Sequence, residues 1–170
     1  MQPESIRLVL EALKEEGVDL FVTLPEEPSV PLTEAAQADP FFQVVPVASE
    51  DGGVALCAGA AIGGRRVVFV TGVAGLLKAG LSLAHMATQY GIPFLMLVSY
   101  RGDFGDRSGI SGSKLQVFRQ VGAPFLDALR IPYRVLGRRD EIKQAVRDAH
   151  FTCRTSDTVG ALLLTGEVLW

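Results

Sequence analysis

Asparagine is absent from the 170 residues, and cysteine, histidine and tryptophan occur only twice, twice and once. Each scarcity removes a class of function. Cys57 and Cys153 stand far apart in apolar or helical contexts. With no secretory signal they read as reduced thiols, the ordinary state in a cytoplasm. His85 and His150 show no metal-ligand spacing, so neither a structural nor a catalytic zinc is expected. No apolar run reaches the ~20 residues that span a bilayer, and the opening SIRLVLEALKEEG is charged throughout, unlike a signal or transit peptide. A cytoplasmic chain without membrane association is the expectation. The net charge is −3 and no basic cluster exceeds a few residues, so nucleic acid finds no electrostatic footprint.

What the chain does have is 48% hydrophobic residues and 18 glycines, enough to offset the entropy of folding in a compact unit with many tight turns. Helical and strand patterns alternate along it. Helices are expected over 3–16, ending at Gly17, and over 28–38, 51–62, 76–89, 115–129 and 139–151. Strands are expected over 18–24, 42–48, 65–72, 92–100, 133–137 and 160–166, with Pro46 pointing to an edge position or a bulge. The runs VVFV, FLMLV and ALLL are continuously apolar rather than alternating, as in strands buried on both faces of a parallel sheet. The predicted fold is α/β, a doubly wound parallel sheet of about six strands in a single domain over 1–170.

In such sheets ligands sit beyond the carboxyl ends of the strands. Loops 24–28, 48–53, 71–76 and 100–113 then converge on one crevice, bringing Glu50, the Thr71–Gly75 turn and the Arg101–Asp106 segment to one rim. Two readings of Glu50 stand open. Behind Ser49 it is a first-turn carboxylate, which the helix dipole favours by about 0.3–1 kcal/mol. Beside Gly52, Gly53 and the run Ala58-Gly59-Ala60-Ala61 it is also a carboxylate that a backbone or flat ring can approach, as a proton-handling group requires. TGVAG at 71–75 matches neither the dinucleotide pattern nor the P-loop, since Lys78 does not follow Gly75 directly.

Two blocks, VVPVASEDGGVALCAGAAIGGRRVVFVTG and ATQYGIPFLMLVSYRGDFGD, together with FLDALRIPYRVL at 125–136, carry a resemblance. The chain resembles the pyrimidine-binding domain of thiamine diphosphate enzymes, most closely the alpha subunit of sulfopyruvate decarboxylase and the matching half of phosphonopyruvate decarboxylase. In that family a glutamate hydrogen-bonds N1′ of the cofactor's aminopyrimidine and promotes loss of the thiazolium C2 proton. The cofactor then serves as the electron sink for decarboxylation of a 2-oxo acid. The resemblance gives this role to Glu50, places Pro25, Thr71, Gly72, Val73 and Ala74 along the cofactor, and assigns Lys78, Arg101 and Lys114 to the substrate.

The family's diphosphate and Mg²⁺ site needs a Gly-Asp-Gly motif and a downstream Asn. This chain has neither, and holds no metal in its expected site. The resemblance therefore implies half an active site. Thiamine diphosphate would be shared with a pyrophosphate-binding beta subunit that carries the motif and Mg²⁺, in a hetero-oligomer, and the lone chain would bind cofactor poorly. The chain departs from the family at FVTGVAGLLKAG (69–80), where Val70, Gly75 and Lys78 replace asparagines. SGSKLQ (111–116) stands where a Glu-His pair is common. A carboligase subunit and a catalytically degenerate scaffold of the same fold stay open as alternatives, with a flavodoxin-like nucleotide binder behind them.

Overall fold

The computed structural model describes residues 1–102 and 112–170, with 112–115 as backbone alone. Six strands form one parallel sheet: β1 Leu20–Thr23, β2 Gln43–Pro46, β3 Val67–Gly72, β4 Phe94–Ser99, β5 Tyr133–Leu136 and β6 Val159–Leu164. Their spatial order is β2-β1-β3-β4-β6-β5. Every residue of β3, β4 and β6 is buried, whereas the edge strands β2 and β5 are partly exposed. Continuous apolarity thus marks central strands, and Pro46 sits on an edge where a missing N–H costs no ladder bond.

Helices cover both faces: α1 Pro3–Glu15, α2 Val30–Gln37, α3 Glu50–Ile62, α4 Val73–Lys78, α5 Gly80–Leu83, α6 Gly112–Ala128, α7 Ile142–Thr155 and α8 Gly166–Leu169. Side chains alternate across the sheet, as strand geometry demands. Phe21, Val68, Val70, Leu95, Leu97 and Leu162 join α1 and α7 in one core layer. Val22, Phe69, Met96, Val98, Ala161 and Leu163 face residues of α3, α4 and α6 in the other. Helix α1 ends where expected. Gly17 takes φ +66° and its N–H bonds the Lys14 carbonyl at 2.9 Å, a left-handed stop that suits glycine.

Three expectations need correction. The helix predicted over 76–89 starts earlier, at Val73, and is three pieces: α4, α5 and a π-helical segment, Ala84–Gln89. At the break, a Cβ on Gly80 would come within 2.7 Å of the Phe125 ring, so glycine is what lets α6 pack there. The last strand ends at Leu164 rather than 166, and Gly166 begins α8. Finally, Gly53 offers no open space. A Cβ there would lie 2.6 Å from the Phe69 ring, so this glycine brings α3 down onto β3.

The chain direction of the crossovers reverses between β1 and β3, which are hydrogen-bonded neighbours (Val22 opposite Phe69). The carboxyl ends of these two strands border the switch-point crevice.

Candidate active site

Two carboxylates stand at this crevice, each against a glycine of the β3–α4 turn. Glu50 is the first residue of α3, whose start is fixed by Ser49: its Oγ accepts the Gly52 N–H at 3.1 Å. The Glu50 side chain is 15% exposed. A Cβ on Gly75 would overlap the Thr71 hydroxyl and lie 2.7 Å from Glu50 Cγ and 2.9 Å from Oε1, so the absence of a side chain at 75 makes the room that Glu50 occupies. Oε2 is buried with no hydrogen-bond partner. Lys78 Nζ lies 3.0 Å from it, within ion-pair range but outside hydrogen-bond geometry. The lysine is more than half exposed, which leaves this pair worth about 1 kcal/mol or less.

The second carboxylate, Glu26, went unnoticed in the sequence. It follows Pro25 at the end of β1 and its Oε1 accepts the hydroxyl of Ser99, the last residue of β4. A Cβ on Gly72 would overlap its carboxylate. Burial pushes the Glu26 carboxyl above its ordinary value, against the opposing pull of the Ser99 hydroxyl and of the Arg101 charge. The signal available in the sequence was a carboxylate directly after an apolar strand. Its partners, Gly72 and Ser99, lie 46 and 73 residues further on, which hid it.

Among the anticipated residues, Thr71 and Gly72 are buried beside these carboxylates, and Ala74 is exposed on the first turn of α4. Val73 points into the core, leaving only its backbone toward the crevice. Pro25 is exposed. Arg101 is buried beyond β4, with Nη1 3.2 Å from Glu27 Oε2. The side chain of Lys114 and the whole of 103–111 lie outside the described residues.

Three other concavities lie away from this crevice. One lies along β5, β6 and α7 and includes Tyr133, Ala149 and Leu162; another, at the opposite end of the sheet, includes Arg65, Arg66, His150 and Arg154; the third is an open one by Ile62, Met86, Tyr90 and Ile92. None of them contains a buried polar atom without a partner, whereas the switch-point crevice does. Among the described residues no group of three or more His, Cys, Asp or Glu is placed to hold a metal ion, and no helix is long and apolar enough to cross a membrane. Chemically, the crevice offers a buried acceptor with no hydrogen bond made to it, a carboxyl whose pKa burial raises, and cations at the rim.

The chain is similar to known proteins. Residues 5–108 match the family model described as thiamine pyrophosphate enzyme, N-terminal TPP binding domain. The sulfopyruvate decarboxylase subunit alpha of Methanothermobacter thermautotrophicus is 29% identical over 164 residues, covering 96% of this chain and 97% of that one. The protein of the same name from Methanococcus maripaludis is 26% identical over 141 residues, covering 83% and 82%. Among solved structures, a thiamine diphosphate-dependent 4-hydroxybenzoylformate decarboxylase from Rhodococcus jostii superposes with a TM-score of 0.78 at 12% identity. Benzoylformate decarboxylase from Polynucleobacter necessarius gives 0.77 at 16%. Each superposition covers 97% of this chain but only 30% of the solved chain, and at these identities it shows the fold alone. The six-stranded sheet that holds Glu26 and Glu50 at its switch point is thus a known one, and the chain belongs to the family of thiamine pyrophosphate enzymes, N-terminal TPP binding domain.

Proposed function

We propose that this chain is the alpha-type, pyrimidine-binding subunit of a two-chain thiamine diphosphate-dependent 2-oxo acid decarboxylase, with residues 1–170 acting as one pyrimidine-binding unit. The observation that carries the reading is Glu50 Oε2, a buried carboxylate oxygen whose neighbour, the half-exposed Lys78 ammonium at 3.0 Å, does not meet it in hydrogen-bond geometry. A buried carboxylate oxygen is rarely left unmet, and the protonated N1′ of an aminopyrimidine is a donor of the right kind. The residues present therefore fit the pyrimidine half of the cofactor. The names of the relatives, each a subunit alpha of a decarboxylase, point the same way.

When bound, the cofactor supplies a carbon nucleophile and an electron sink for the pair of electrons released with CO₂. The rest is the work of this chain. Glu50 accepts and holds the proton shared with N1′, and its position on a capped helix start fixes the direction of that hydrogen bond. Gly75 keeps the carboxylate close to the start of α4, and Thr71, Gly72, Ala74 and Pro25, with the backbone of Val73, are the residues that would hold the pyrimidine. Lys78, Arg101 and Lys114 are the cations offered to an anionic substrate.

The diphosphate and Mg²⁺ fall to a beta subunit bearing Gly-Asp-Gly and a downstream Asn, because a chain without asparagine lacks the family's usual ligand set. The test is Glu50→Gln in the assembled heteromer, assayed on sulfopyruvate and related 2-oxo acids. Turnover is expected to fall by about 10²–10⁴, with unchanged circular dichroism and subunit association. Near-wild-type turnover contradicts the role.

A further inference from the structure

Beyond β4 lies a feature that the proton-handling account leaves unused. Arg101 is 9% exposed. Its Nη1 faces Glu27 Oε2 at 3.2 Å, while Nε and Nη2 are both buried without a hydrogen-bond partner among the described residues. Those two nitrogens are the side-on edge of the guanidinium. Their N–H bonds run parallel, at the spacing of two oxygens of a carboxylate, sulfonate or phosphonate. A buried cation with an empty fork calls for an anion to complete it.

The described carboxylates nearby, Glu26 and Glu27, do not fill this edge. Glu26 receives the Ser99 hydroxyl on Oε1 and acts on Arg101 only through its charge. Glu27 is 71% exposed and takes Nη1. Lys78, by contrast, already stands against Glu50. Of the cations whose side chains are described at the crevice, Arg101 is the one with donors to spare.

We propose that the Nε/Nη2 edge of Arg101 binds the second oxyanion of the substrate, so that it sets the preference for 2-oxo acids with an acidic group beyond the reacting carbonyl over singly charged ones. This rests on the 2-oxo acid reading above and assigns part of its specificity to one residue. Sulfonate, phosphonate and carboxylate share the chemistry that the fork recognises.

Two measurements test it. In the first, the full chain is titrated calorimetrically with sulfoacetate, and the Arg101 Nε–H signal of arginine-labelled protein is followed, assigned by its loss in Arg101→Lys. A saturable shift with sulfoacetate, none with neutral acetamide, and no heat in the variant are expected. An unmoved signal overturns the proposal, as does loss of sulfoacetate binding when the partner subunit is added, since a partner carboxylate would then own the edge. In the second, the assembled enzyme carrying Arg101→Lys is compared on sulfopyruvate and pyruvate. KM for sulfopyruvate is expected to rise about a hundredfold, with kcat and the pyruvate KM little changed. An equal loss on both substrates marks a structural role and overturns it. If no 2-oxo acid is turned over but the anion still binds at Arg101, the decarboxylase reading fails while the anion site stands.

Discussion

At the scale of single residues, the two crevice carboxylates differ in what they do for the fold. Burial raises the Glu26 carboxyl above its ordinary 4.5. Folding therefore favours its neutral form over its ionised one, relative to the unfolded chain. Its favourable contribution is complete below pH 4.5 and is lost as pH rises through the raised value, so that the group favours folding less at neutral pH than in acid. Glu26→Gln is expected to raise the melting temperature at pH 7 and to lose that gain in acid. A variant that melts lower than wild type at pH 7 would show that the charge is better satisfied than its surroundings imply. The place of Glu50 at the crevice was legible in the sequence because Ser49, Glu50 and Asp51 run straight into two glycines at the end of an apolar strand. Glu26 was not, since what buries it is a glycine on β3 and a serine on β4, brought to it only by the strand order. The thiols are legible and inert. Burial pushes the Cys153 thiol up to about 12 and raises Cys57 as well, so neither is expected to react with thiol reagents in the native chain at neutral pH.

At the scale of elements, the small-residue helix α3 serves two purposes that composition alone could not separate. Gly53 meets the Phe69 ring, whereas Gly59 has nothing within 4 Å of a would-be Cβ. Gly53→Ala is expected to destabilise by about 1–3 kcal/mol through overpacking. Gly59→Ala is expected to stabilise the isolated chain by about 0.5–1 kcal/mol through helix propensity. Thermal melts of the two variants check both signs. The β3–α4 turn allows a sharper test. Gly75→Ala would drive a methyl group into Thr71 and Glu50, so cofactor retention by the heteromer should fall even where the melting temperature drops by only a few degrees. The strands were legible because three of them carry unbroken apolar runs, VVFV, FLMLV and ALLL. The segment 73–89 was not, because a run rich in Ala, Leu and Gly reads as one helix whether or not Phe125 intrudes at Gly80.

At the scale of the whole molecule, the crevice and an apolar surface lie on adjoining elements. Ile62 on α3, Leu81 on α5 and Tyr90 beyond the π segment are 73%, 72% and 62% exposed, and Ser82 ties α5 to α3 through Asp51 at 3.4 Å. Exposed apolar side chains on adjoining elements are what a face covered by another chain would present, in keeping with the proposed cofactor shared between subunits. The central claim is that thiamine diphosphate is held between this chain and a partner, with Glu50 on its pyrimidine. The most direct measurement is affinity purification of the tagged chain from its host in thiamine diphosphate and Mg²⁺, with mass spectrometry of the proteins and quantitation of the cofactor. The account predicts co-purification of a chain bearing Gly-Asp-Gly and a downstream Asn, with cofactor retained by the complex and not by this chain alone. Recovery of this chain by itself and free of cofactor, or of a complex that binds none, would contradict it.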